Sequence, residues 1–334
     1  MDPVAFARGL IDIDSTTGRE GDAGRWLVRH LRELRFVVTE QRVDGERINV
    51  IATTDVEIQP SVVLSTHFDC VPPFFPSRIE GDRLYGRGSC DAKGILAAQV
   101  AAVDRLRAQG EARVGLLFVV GEERGSDGAK MANDAAAGAK FLVNGEPTDS
   151  RLGAATRGIL RVKFHAEGRA AHSSFPELGV SAIDKLLDTL MELRRLTLPA
   201  DPSLGETYYT VGLISGGVAP NVVSPSAEAE IMFRTVGDGA EVRKAISSLE
   251  SRVSIEHVLE VPPIKMKVVP GFETAVFPYT TDIPFLSRWG DPLLFGPGSI
   301  HAAHTADESV AIAELSEAAD HYVRIARHLL DAER

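Results

Sequence analysis

Three apolar runs constrain this chain most: Val62-Val63-Leu64, Val114 to Val120 and Phe141-Leu142-Val143. The longest, VGLLFVV, shows no polar alternation, so it reads as a strand covered on both faces, as in a sheet that lies between helices. Each run stops at groups that can bind a metal or move a proton. The first ends in Ser65-Thr66-His67-Phe68-Asp69, the second in Gly121-Glu122-Glu123-Arg124-Gly125, the third in Asn144-Gly145-Glu146-Pro147. Open α/β sheets place their sites at the carboxyl ends of strands, so these acids should converge.

Helical patterns separate the runs. Ile95, Leu96, Gln99, Val100, Val103 and Leu106 recur at helical spacing behind Gly86-Arg87-Gly88-Ser89-Cys90-Asp91, which predicts a helix over 92–108 with Asp91 at its start. Ser126 is a candidate cap for a helix over 127–137. Helices are also expected over 3–14 and 19–35, and Gly81-Asp82-Arg83-Leu84 reads as a hairpin turn. From about 159 the texture changes. A half-exposed strand over 160–167, helices near 179–195 and 240–251, and strands near 208–214, 228–235 and 254–261 make a small α+β unit. Strand and helix signals then resume, near 292–295 and 307–331. The expected architecture is α/β: a catalytic domain with a mixed, largely parallel sheet flanked by helices, formed by residues 1–158 and 265–334, with a smaller α+β domain inserted at 159–264.

Composition removes several function classes. The chain has 334 residues, 44% of them hydrophobic, and a net charge of −11, which repels a phosphate backbone and excludes nucleic acid as an expected partner. No apolar run approaches the roughly 20 residues of a membrane span. The first residues lack the pattern of a signal peptide. Only two cysteines occur, Cys70 and Cys90, so no disulfide scaffold is expected. A soluble cytoplasmic protein is the default expectation. Each Cys adjoins an acid of interest, Asp69 or Asp91, and packing is the reading favoured over ligation.

His67, Asp69, Asp91, Glu122, Glu123, Glu146 and His304 therefore form one constellation on loops at one sheet edge. Strict alternation puts His67 and Asp69 on one side of an extended backbone, where the Asp would orient the ring. Two His and several carboxylates with open positions suit two Zn²⁺ ions, with Co²⁺ or Mn²⁺ as substitutes. Each metal would take one His and one terminal carboxylate, with one Asp between them. Adjacent residues on an extended segment point oppositely, which would divide Glu122 from Glu123.

The ordered motifs resemble the co-catalytic zinc aminoacylase and carboxypeptidase family, which includes acetylornithine deacetylase, succinyl-diaminopimelate desuccinylase and glutamate carboxypeptidase. The resemblance runs through His67 to Pro72, Gly86 to Gly94, Glu122-Glu123, Asn144 to Pro147, Gly168 to His172, Ala219-Pro220-Asn221 with Arg234, and Ala303-His304-Thr305 with Asp307-Glu308. Cys70 departs from it, since the family often has Thr there. The resemblance implies that Asp91 bridges the metals, that His67 and Glu146 hold one, and that Glu123 and His304 hold the other. It implies that Asp69 orients His67, that the Asp91–Ala92 peptide is cis, and that Glu122 is the general base, moving a proton from water to the departing amine. His304 rather than His301 matches the motif. His165, His257, His321 and His328 lack acidic company in the sequence and are given no role.

The implied reaction is hydrolysis of an N-acyl amino acid or short peptide. The second motif and the GPGSIHAAHTADE loop lean toward an acetylornithine deacetylase-like enzyme. A dipeptidase, carboxypeptidase or succinyl-diaminopimelate desuccinylase on the same metals is the alternative. An inactive scaffold should have lost the base or a ligand, and none is missing. Arg234 is the candidate clamp for a substrate carboxylate, with Asn221, Gly298 and Ser299 beside the substrate. The resemblance also implies a homodimer through the inserted lid domain, in which His172 of each subunit completes the partner's site.

Overall fold

A computed structural model describes residues 1–136 and 138–332. The chain divides into two compact units. The first is Met1–Ala154, Met266–Ala275 and Thr281–Arg334; the second is Ala155–Lys265 and Val276–Thr280. The short segment Val276–Thr280 thus goes with the second unit, although the sequence placed it with the first.

The first unit is built on a six-stranded mixed sheet. Its order is Val37–Asp44, Arg47–Thr53, Val114–Val119, Val62–His67, Phe141–Asn144 and Asp291–Leu294. The first two strands run antiparallel, and the last four run parallel to one another. All three apolar runs lie in the parallel half, and the reason for their lack of alternation is visible. Val62, Leu64, Leu116, Phe118 and Val143 pack into one core with the helices Pro3–Ile11, Gly21–Glu33, Lys93–Ala108 and Ile312–Asp331. The intervening residues Val63, Leu117, Val119 and Leu142 pack into a second core with Ala129, Ala132, Leu286 and Trp289. Both faces are covered, so both must be apolar.

From Val62–His67 the chain passes to a strand on one side, Val114–Val119, and then to one on the other, Phe141–Asn144. That reversal opens a crevice beyond the strand ends. The helix Lys93–Ala108 sits under it and is buried all round from Lys93 to Val103, not on one face only.

Several local expectations are corrected. The first helix stops at Ile11, where the Asp12 N–H bonds back to the Arg8 carbonyl. The helix expected over 127–137 ends at Asp134, and its expected last residue, Ala137, lies outside the described residues. Ser126 precedes it in a left-handed conformation and makes no side-chain cap bond. The last helix starts at Ile312 and not near 307, because Ser309–Ala311 pairs instead as a strand with Arg83–Tyr85.

The second unit is an antiparallel four-stranded sheet ordered Tyr208–Gly216, Ser226–Thr235, Gly158–Glu167 and Ser254–Val261. Leu160, Val162, Phe164, Ile231 and Phe233 bury one sheet face against the helices Ala182–Leu193 and Gly239–Ile246. The fold is therefore α/β with an inserted α+β unit. Among the described residues no helix is long and apolar enough to cross a membrane.

Candidate metal centre

Parallel register aligns the ends of the central strands, with His67 opposite Val119 and Ser65 opposite Asn144. Immediately past those ends stand Glu122, Glu123 and Glu146. Asp91 enters from the loop before Lys93–Ala108. His67 Nε2 lies 3.0 Å from Asp91 Oδ1, and His304 Nε2 lies 3.3 Å from Asp91 Oδ2 and 3.0 Å from Glu123 Oε1. Two groups result, His67–Asp91–Glu146 and Asp91–Glu123–His304, each with ligand atoms within 4.8 Å of one another. Asp91 belongs to both, one oxygen toward each histidine.

The electrostatics show a site short of positive charge. Burial, then the neighbouring Glu146, push the Glu122 carboxyl well above its ordinary range. Burial and nearby Asp91 do the same to Glu146, although His67 opposes them. Burial alone would raise Asp91, but hydrogen bonds from His304 and His67 outweigh it and hold the carboxyl below the usual range. Asp91 and Glu123 in turn raise His304 to about 10. Glu146 Oε1 is buried with no hydrogen-bond partner. Clustered acids, an orphaned carboxylate oxygen and two imidazoles with Nε2 directed at the shared Asp are the donor set of two divalent cations with nitrogen and oxygen ligands. Glu122 belongs to neither group, which leaves its carboxyl available for proton transfer.

With that geometry in place, the comparison with known proteins is direct. The profile of peptidase family M20/M25/M40 matches residues 63–328. The chain belongs to this family. It is 37% identical to a peptidase M20 domain-containing protein of Schizosaccharomyces pombe, over 98% of this chain and 84% of that one. It is 34% identical to a probable carboxypeptidase of Aspergillus clavatus, over 99% of this chain and 83% of that one. A tripeptidase of Staphylococcus aureus has the same fold, with a TM-score of 0.82 at 20% identity, covering 100% of this chain and 98% of that one. As a member of the M20 metallopeptidases, the chain is a hydrolase of amide bonds.

Two details of this M20 site differ from the sequence expectation. Glu122 and Glu123 do not sit on an extended segment. They open a 3₁₀ turn, Glu122–Arg124, entered through Gly121 at φ 78°. A side chain at Gly121 would be strained and would also meet Arg47 Nη2 at 2.5 Å. Asp69, for its part, holds more than the His67 ring. His67 Nδ1 is closer to the Asp69 carbonyl oxygen, at 3.1 Å, than to Oδ1, at 3.4 Å. The Asp69 carboxylate accepts the N–H groups of Glu122 and Glu123 and the Thr17 hydroxyl. It therefore fixes the turn that carries both glutamates.

Sequence reasoning missed the supports. Thr17 is one. Arg47, paired with fully buried Glu20, packs where a Gly121 side chain would be. Asp282 is another buried acid close enough to raise Glu122. The only signal for any of them is a polar residue type in a stretch that folding buries, which sequence spacing does not show. Cys70 and Cys90 are buried free thiols outside both ligand groups, and burial pushes Cys70 up to about 12, so packing is their role. His301 is also outside both groups. His165 does have acidic company, contrary to expectation. It lies between Glu228 and Glu256, both 3.1 Å away, on neighbouring strands.

The remaining expected residues divide between the units. In the loop Gly296 to Ser299, the Gly298 carbonyl accepts the Asp149 N–H, and the Ser299 carbonyl accepts from Cys90 Sγ. Gly298, at φ 77°, has the Cys90 sulfur where a side chain would start. In the second unit, Arg234 lies on Ser226–Thr235 between Tyr208 and Ile159, with Nη1 buried and unpartnered. His172 is exposed, and its Nδ1 accepts the Ser174 N–H. Asn221 is beside it, its carbonyl accepting the Ser173 N–H at 2.9 Å.

Proposed function

We propose that the chain is a dinuclear metallopeptidase of carboxypeptidase or dipeptidase type, acting on short peptides with a free carboxylate. The observation that carries this reading is the pair of ligand groups sharing Asp91, with Glu122 beside them and in neither. His67, Asp91 and Glu146 would hold one ion, and Asp91, Glu123 and His304 the other. Zn²⁺ is the expected metal, with Co²⁺ or Mn²⁺ as substitutes. When bound, the metals acidify water and polarise the amide carbonyl. Glu122, its carboxyl raised by burial, takes the proton from the attacking water and delivers it to the departing amine. Asp69 holds Glu122 in place through its backbone. Arg234, with its buried unpartnered Nη1, is the group proposed for the substrate carboxylate, with Asn221, Gly298 and Ser299 as further substrate contacts.

The names of the relatives favour this reading over the acetylornithine deacetylase-like one. Assays of the Zn²⁺- or Co²⁺-loaded protein on free dipeptides, N-blocked dipeptides and N-acetyl amino acids, acetylornithine included, test it. Turnover of the peptides is expected to dominate, and activity confined to N-acetyl substrates would overturn the choice.

For the assembly, the proposal is a C2 homodimer through the second unit. Tyr208–Gly216 is an edge strand with Leu213 and Ile214 exposed, and Leu187 and Met191 are exposed on Ala182–Leu193. An unpaired edge beside apolar helix residues fits a second copy of itself. His172 would then donate a hydrogen bond to the developing oxyanion of the partner's site. Mixing inactive His172→Ala and Glu122→Gln chains under subunit exchange should restore activity. Confirmed exchange without recovery would rule out sharing in trans.

A further inference from the structure

We propose that Glu308, with Arg87 as its counter-ion, is a positioning residue that assembles the second metal position, His304 with Asp91; the inference rests on the dinuclear reading above. Glu308 is 1% exposed. Its Oε1 accepts three backbone N–H groups, from Gly88 at 3.0 Å, Cys90 at 3.1 Å and Asp91 at 3.0 Å. Its Oε2 accepts Arg87 Nη1 at 2.6 Å. The Gly86 N–H reaches the Glu308 carbonyl. The loop that presents Asp91 is thus wrapped around one carboxylate from the far end of the chain.

The same residue anchors the other loop. Glu308 follows His304 by one short turn, and the residues after it, Ser309–Ala311, pair with Arg83–Tyr85, the strand that leads into Gly86 to Asp91. Both loops leave the same end of this strand pair, which belongs to a three-stranded sheet, and Glu308, the residue just before Ser309, ties the Gly88–Asp91 backbone to it there. His304 itself sits at φ 63°, a left-handed conformation uncommon outside glycine. His67 and Glu146 are carried instead by the sheet ends, and Glu123 by the turn that Asp69 holds.

The two positions should therefore respond unequally. Two of the three ligands of the second position, Asp91 and His304, depend on Glu308, but only Asp91 of the first does. A buried carboxylate receiving charge-assisted bonds is strongly engaged, and removing it leaves three N–H groups and a guanidinium without their acceptor. A residue that merely stabilised the fold would lower the melting temperature without discriminating between ions.

The test is titration of metal-free Glu308→Ala and Glu308→Gln with Co²⁺, followed by calorimetry, elemental analysis and the visible cobalt spectrum. The native chain is expected to bind two ions. Glu308→Ala is expected to bind the first nearly normally and the second about 10–100-fold more weakly, the usual effect of losing support behind a ligand. Glu308→Gln keeps one acceptor oxygen for the three N–H groups and is expected to fall between, with activity returning at high Co²⁺. Loss of neither ion, or equal loss of both, in whichever variant remains folded by circular dichroism overturns the proposal. Unfolding of both variants also overturns it, since Glu308 would then serve the fold and not the site. A native chain that binds fewer than two ions would instead count against the dinuclear reading itself.

Discussion

Every proposed ligand of the first position, His67, Asp91 and Glu146, is buried, whereas among those proposed for the second, Asp91, Glu123 and His304, burial falls away until the His304 side chain is 49% exposed. The first takes two of its ligands from the ends of adjacent parallel strands, placed by ladder register. The second takes them from a 3₁₀ turn and from a loop far along the chain. Rigid elements hold ligands more closely than loops do. The first position should therefore be preformed and retentive, and the second the one that exchanges.

Four experiments put the difference between the two positions to the test. The largest effect is expected at Glu122, which lies in neither proposed ligand group. Glu122→Gln should keep two ions by elemental analysis and lose about 10²–10⁴ in kcat; near-native turnover would remove the base assignment. Next is the pair of histidines. In the metal-free chain, His67→Ala leaves Asp69, Asp91 and Glu146 buried around a missing cation, and urea denaturation should show a loss of about 3–5 kcal/mol. His304→Ala removes a half-exposed partner and should cost under about 1 kcal/mol while abolishing only the second ion. Equal destabilisation would erase the distinction between the two positions.

Asp282 tests whether the buried side of the crevice is strained by charge. Burial raises its carboxyl from 3.8 to about 6. The folded chain therefore binds the proton more tightly than the unfolded chain, and stability falls as pH rises from about 4 to 6 and stays lower above that. Asp282→Asn should stabilise the metal-free protein by up to about 3 kcal/mol at pH 8 and hardly at all near pH 4. A gain that is independent of pH would point to packing. The smallest effect is expected at Thr17, whose hydroxyl is 2.8 Å from Asp69. Thr17→Val should cost about 1 kcal/mol and lower kcat severalfold without loss of metal; an unchanged kcat would mean that Asp69 needs only its backbone donors.

The doubly covered sheet and the order of the strands that end in acids were legible in the residue pattern, as were the candidates His67, Glu122, Glu123 and Glu146 at those ends; Asp91 and His304, on loops, were singled out by motif. The strand-end candidates follow from local properties: apolar runs demand burial on both faces, and each run passes directly into the residues it presents. How those residues are held emerges only from the folded chain. Glu308 meets Asp91, Thr17 meets Asp69, and Arg47 packs against Gly121 across long stretches of chain. The strand Ser309–Ala311 was hidden inside a helical pattern for the same reason, since its partner, Arg83–Tyr85, lies at the other end of the sequence. Spacing along a chain carries information about neighbours on one element. Which distant polar group will satisfy a buried N–H is fixed only when packing removes the water that would otherwise do so.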